Sequence, residues 1–302
     1  MEEMTTGLCP KCGHTLQIPA ELERFSCMYC GERLTKRQLL TQPEEASCSE
    51  EDCAVSFDHA VSRLGWCVQN FRGYQKKILR DAFFEAFETY ETGCAPVIQE
   101  LNGGVRPERQ TELLDRAAEA MLGELSAGWE KKNDMEDEKV ILAIFFVPMV
   151  RKLQLPVSEE FVSLLQKKWV ERYPKSPFYL GDYESISGGF RKKFLGLCFI
   201  TTAVCQELGK PDDCAELTAF RAFRDGYLAA QPDGEALIRE YYNIAPGIVT
   251  CINTCSDRHA SYERIREQYL TPCYEDLLAG RNADCKTRYV QMVRDLEREY
   301  LH

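Results

Sequence analysis

Four cysteines near the start of the chain have the type and spacing of a metal site. Cys9 and Cys12 form one C-x2-C pair, Cys27 and Cys30 form a second, and fourteen residues separate the pairs. Two cysteines two residues apart can ligate one ion from a single tight turn. Gly13 and Gly31 follow the pairs, and glycine admits the positive φ that such a turn uses. Backbone N–H groups of the turn can then donate to the thiolates. Two turns facing each other complete a tetrahedral, all-thiolate site for one structural Zn2+ per chain. With thiolate at all four positions no place is left for water, so this chemistry is structural and not catalytic. His14 reads as a surface residue beside the first pair.

Residues 1–37 resemble a zinc ribbon. A segment of this length buries too little surface to fold alone, so the metal has to supply folding energy. The ribbon's charge bears on its partners. Lys11, Arg24, Arg33, Lys36 and Arg37 balance Glu2, Glu3, Glu21, Glu23 and Glu32, and a zinc with four thiolates subtracts about two more charges. A nucleic-acid reader shows a basic excess. A protein partner is therefore expected for the ribbon, and nucleic acid is not.

A second set of chemistry-bearing residues lies in the last third. In "CFITTAVCQELGKPDD" a helical step puts Cys198 and Cys205 about 20° apart on one face. Gly209 suits a C-cap and Pro211 stops continuation, after which Asp213 is placed as N-cap and Cys214 as the first residue of the next helix. Aspartates around Cys214 oppose activation of its thiol. Further on, Cys251, Cys255 and His259 recur every four residues and share one helical stripe. With Cys198 or Cys205 that stripe could hold a second metal or a Cys–His pair. The same geometry also describes small thiols filling a core.

The elements that must position these groups are helical. The chain has 302 residues, 44% of them hydrophobic, and a net charge of −11. That is enough for about two domains with a sizeable core. The acidic balance disfavours polyphosphate ligands. The polar start lacks a secretory signal and no apolar run is long enough for a span, so no membrane association and a cytoplasmic location with mostly reduced thiols are expected. Residues 38–53 are acidic, with Pro43 and several serines, and read as a solvated linker with exposed thiols at Cys48 and Cys53. Residues 54–180 show helical spacing throughout, as in Phe83, Phe84, Phe87 and Tyr90. The run 140–150 is apolar all round, suits a bundle centre, and should kink at Pro148. Residues 181–302 form a further helical domain, with Pro246 dividing two of its helices. The fold class is mainly α: a helical bundle body, in one or two subdomains meeting near Gly188-Gly189, behind a small N-terminal zinc ribbon.

This last domain resembles the bacterial CFI-box (Cys-Phe-Ile box) proteins. The matching residues are "CFITTA" at 198–203, Phe223-Arg224-Asp225, Tyr241-Tyr242 and Ala245-Pro246. The resemblance implies a helical domain and no established activity. It makes Cys198, Arg224, Asp225 and Tyr241 the positions to test for a functional centre. The alternative is a buried Arg–Asp pair that fixes helix register. Val204-Cys205 departs from the relatives' pattern and puts Cys205 outside the box. The leading functional expectation is a non-enzymatic zinc-binding adaptor. A cysteine-dependent or second-metal-dependent activity of the C-terminal helices is the alternative, and a nucleic-acid-binding regulator is third. Sequence alone sets neither the partner nor the oligomeric state.

Overall fold

The computed structural model describes residues 4–9, 15–29, 31–36, 39, 50–131, 133–191, 198–254 and 257–302. The chain divides into two compact units, Met1–Val55 and Ser56–His302.

The first unit contains two antiparallel hairpins. β1 (Met4–Leu8) pairs with β2 (Thr15–Pro19), and β3 (Arg24–Ser26) pairs with β4 (Arg33–Thr35). Met4 faces Pro19 in the first register and Arg24 faces Thr35 in the second. β2 alternates, burying Leu16 and Ile18, as the two-residue period of a strand requires. They join Cys9, Cys27, Leu34 and Leu39 in a small apolar cluster. Cys9 directly follows β1 and Cys27 directly follows β3, so each C-x2-C pair begins in a hairpin connection. Gly31 takes a φ of 71° and its N–H donates to the Cys27 carbonyl at 2.8 Å. Cys12, Gly13, Cys30 and Cys48 lie outside the described residues.

Helix α1 (Glu50–Leu64) opens on Glu50, Glu51 and Asp52, charges that suit the positive end of the helix dipole. The end of the acidic segment is therefore helical, and Cys53, expected to be exposed, is buried.

The second unit is helical. After α2 (Trp66–Gln69) come α3 (Phe83–Gly104), α4 (Gln110–Ala127), α5 (Asp134–Ile141), α6 (Val147–Lys152) and α7 (Ser158–Arg172). The run 141–150 is buried at every position, which is why it carries no polar face. Its distortion precedes Pro148: residues Leu142–Phe146 form a π turn between α5 and α6. A proline cannot donate to the ladder, and the wider turn absorbs the missing bond. A second π turn, Arg266–Leu270, likewise stands two residues before a proline, Pro272.

The remaining helices are α8 (Tyr183–Arg191), α9 (Phe199–Glu207), α10 (Ala215–Ala222), α11 (Gly234–Thr254), α12 (Arg258–Ile265), α13 (Thr271–Leu278) and α14 (Asn282–Tyr300). Residues 54–180 and 181–302 read from sequence as separate domains, yet Ser56–His302 is one unit. Aromatic packing across the expected boundary explains this. Phe83 of α3 stacks on Phe190 of α8 with ring centroids 4.2 Å apart, and Phe87 meets Tyr183 at 4.6 Å. Pro246, expected to end a helix, lies inside α11. Residues 244–248 are buried, and this packing outweighs a cost of ~3 kcal/mol for an interior proline. Gly247 permits that packing, since a Cβ there would lie 1.8 Å from the Ile78 carbonyl oxygen.

Candidate functional site

The residues of the C-terminal candidate set separate into distinct places. Cys198 precedes α9 and does not continue its face. It occupies the N-cap position, with φ −106° and ψ 81°, and makes no side-chain capping bond. The first N–H groups of a helix need partners from outside. One is supplied across the fold: the Ile200 N–H donates to the Tyr241 hydroxyl of α11 at 3.0 Å. Tyr289 of α14 lies 3.4 Å from Tyr241, hydroxyl to hydroxyl, and 3.1 Å from the Thr201 hydroxyl. Two helices, α11 and α14, are thereby tied to the start of α9 by one chain of hydroxyls.

Arg224 reaches the same place from a third π turn, Phe223–Leu228, which follows α10. A π turn rotates side chains away from their α-helical direction. Here it accompanies a buried arginine that holds Asp225 by two bonds, Nε to Oδ1 at 2.6 Å and Nη2 to Oδ2 at 2.8 Å. Its Nη1 donates to Cys198 Sγ at 3.6 Å. The Arg224 bonds hold the Asp225 carboxyl below the usual carboxylate range, and Asp225 in turn raises Arg224. Burial pushes the Cys198 thiol up, against the pull of Arg224 and Arg221. Burial also raises Tyr241 and Tyr289.

These groups border a cavity of about 50 Å³. Phe220, Phe223, Leu228, Leu237 and Val293 supply apolar walls, and Glu240 and Arg294 lie exposed at its edge. Such a volume exceeds the ~10–15 Å³ needed for one water but is far below that of a cofactor pocket. The arrangement suits the short apolar end of a ligand beside a neutral thiol and a charge-balanced guanidinium. It does not supply an activated nucleophile, because the buried thiol favours its protonated form.

The other candidates stand elsewhere. Cys205 faces Cys214, with the two sulfurs 3.8 Å apart. Cys251 is wholly buried on α11, in the main apolar cluster. His259 is exposed and lies 3.4 Å from Glu207, whose other oxygen takes Arg258 at 3.0 Å. Cys255 falls outside the described residues. The proposed convergence of Cys251 and His259 with Cys198 or Cys205 is thus not seen among the described residues. Their stripe is interrupted: α11 ends at Thr254, and a new helix, α12, starts at Arg258. The N-cap of α10 is Cys214, one residue later than expected.

Sequence reasoning missed Tyr289, which meets Thr201 across 88 positions with no local signal. It also missed the pairing of Cys205 with Cys214. That signal was present, because Gly209 and Pro211 mark a chain reversal between them.

In the first unit, Cys9 and Cys27 are both buried in the small apolar cluster. Thiols of this kind are zinc donors, and the other two cysteines of the pairs, Cys12 and Cys30, lie outside the described residues. Comparison with protein-family models, with curated proteins and with solved structures gives no match for this chain. No helix among the described residues is long and apolar enough to cross a membrane.

Proposed function

We propose that this chain is a non-enzymatic, zinc-carrying adaptor whose helical unit receives the short aliphatic end of a protein partner. One observation carries this reading. Cys198, Arg224 and Tyr241, distant in sequence and all within the CFI-box resemblance, line one apolar cavity with a protonated thiol. A cavity this size admits an isopropyl-sized group and little more. Arg224 is already paired with Asp225, and the histidines His59, His259 and His302 pair with Glu100, Glu207 and Glu297. These pairings favour recognition over thiol catalysis. In the first unit, Cys9, Cys12, Cys27 and Cys30 would hold one Zn2+, and the zinc's part is to fix two hairpin turns as a protein-contacting ribbon. The net charge of −11 supports a protein partner over a nucleic acid.

The test is the melting temperature of the chain with N-acetyl-leucinamide at millimolar concentration. A rise that is lost in Val293→Trp, which fills the cavity, supports the reading. Rapid alkylation of Cys198 at neutral pH in the folded chain would contradict it and favour a cysteine-dependent activity.

A further inference from the structure

Cys205, Cys214 and Glu216 come together at the reversal between α9 and α10. Their ligand atoms all lie within 4.8 Å of one another. The reversal is firmly set. Gly209 takes a φ of 68°, the Lys210 N–H donates to the Cys205 carbonyl at 2.8 Å, and the Cys214 N–H donates to the Pro211 carbonyl at 3.1 Å. The two sulfurs stand 3.8 Å apart.

That separation has a chemical reading. Two thiolates each ~2.3 Å from a tetrahedral zinc stand about 3.8 Å apart. A disulfide needs ~2.05 Å and therefore a movement of both side chains. Contact between two thiols also occurs near this distance, so the carboxylate decides between the readings. Glu216, besides its ion pair with Lys210, places a hard anionic oxygen beside two soft sulfurs and so completes a mixed donor set of three convergent ligand atoms. A cavity of about 50 Å³ borders Cys205, Lys210 and Glu216, which leaves room for a water as fourth ligand.

We propose that Cys205, Cys214 and Glu216 bind one soft divalent cation of the zinc and cadmium type, distinct from the ion of the N-terminal cysteines. Binding releases the two thiol protons and forms two metal–sulfur bonds and one metal–oxygen bond, with no change in oxidation state. Two thiolates, one carboxylate and a divalent ion sum to −1, and Lys210 restores neutrality. Its Nζ lies 2.7 and 2.6 Å from the two Glu216 oxygens. A carboxylate oxygen has two acceptor sites, so Glu216 can hold Lys210 and the ion together. Lys210 then orients a metal ligand from behind, as outer-shell partners do. The site does not depend on the cavity beside Cys198.

The reduced, metal-free full chain is titrated with Cd2+ while thiolate-to-cadmium charge-transfer absorbance is followed. The parent is expected to take one equivalent more than Cys205→Ser/Cys214→Ser. Equal stoichiometry overturns the site. Cys9→Ser/Cys27→Ser should keep this equivalent, and its loss there assigns the ion to the first unit and also overturns the proposal. Should the double variant lose helical circular dichroism, Cys214→Ser, at a half-exposed position, and Glu216→Gln carry the test. Glu216→Gln is expected to weaken this equivalent by more than about tenfold, and unchanged affinity rules out the three-ligand site. Bound Cd2+ is also expected to shield Cys214 from iodoacetamide. Alkylation at the metal-free rate counts against it.

Discussion

The apolar cluster of the first unit consists of Cys9, Leu16, Ile18, Cys27, Leu34 and Leu39, whereas that of the second runs from Phe57 to Leu301. The contrast explains how the same residue type serves two ends. In the small cluster two of the six residues are thiols. Its few aliphatic side chains offset little of the entropy of ordering two hairpins, and the metal proposed at the cysteines would supply the missing folding energy. In the large cluster Cys67, Cys94, Cys251, Cys273 and Cys285 are wholly buried among aromatic and aliphatic side chains. There cysteine behaves as a small apolar residue, and the neighbouring thiols of Cys94 and Cys273, together with burial, raise Cys67 and Cys285 far above the ordinary thiol range. Cys198 and the Cys205–Cys214 pair lie between these extremes, at the margins of the large core.

Substitutions in the second unit sharpen the contrast. The largest effect is expected from Phe145→Ala. Phe145 is fully buried, and its ring meets Tyr74, Phe83 and Tyr90 within 6 Å. Its loss should cost ~3–5 kcal/mol in urea unfolding of the helical unit, and a cost below about 1 kcal/mol would break the account of a burial-driven unit. Tyr241→Phe comes next. It leaves the buried Ile200 N–H without its acceptor and should cost ~1–3 kcal/mol, measured in the same way, with retained helical circular dichroism.

The smallest effect is one of slope. Burial raises the folded-state value of Cys198 above its unfolded value of ~8.5. The folded chain therefore holds this proton more tightly than the unfolded chain. The resulting stability is full below about pH 8.5 and is lost as pH rises through the folded value. Unfolding midpoints should fall more steeply with alkaline pH in the parent than in Cys198→Ala. Parallel slopes would show that the thiol holds its proton equally in the folded and unfolded chain, and would contradict the raised value.

Much of this was legible in advance, for reasons tied to distance along the chain. Helical periodicity in 83–90 and 113–125, the all-apolar run at 140–150, and the Gly209–Pro211 reversal are local signals, and the helical body follows from them. Cys198, Arg224, Asp225 and Tyr241 were singled out together, and the structure brings all four to one place. The relation of Pro246 to its helix was not legible, because the packing that tolerates it comes from Ile78, far off in sequence. The sequence leaves open whether the helical body forms one unit or two for a similar reason, since no local pattern announces that Phe83 stacks on Phe190. Cys251 and His259 are not brought together with Cys198 or Cys205 among the described residues, because the one stripe they share on paper is divided between α11, which ends at Thr254, and α12, which starts at Arg258.

Hydrogen exchange of the full chain before and after zinc chelation tests the contrast most directly. The account predicts that amides of β1 to β4 lose their protection when the metal is withdrawn, while those of α3 to α7 exchange as before. Hairpins that stay protected without metal, or a helical core that opens with them, would contradict it.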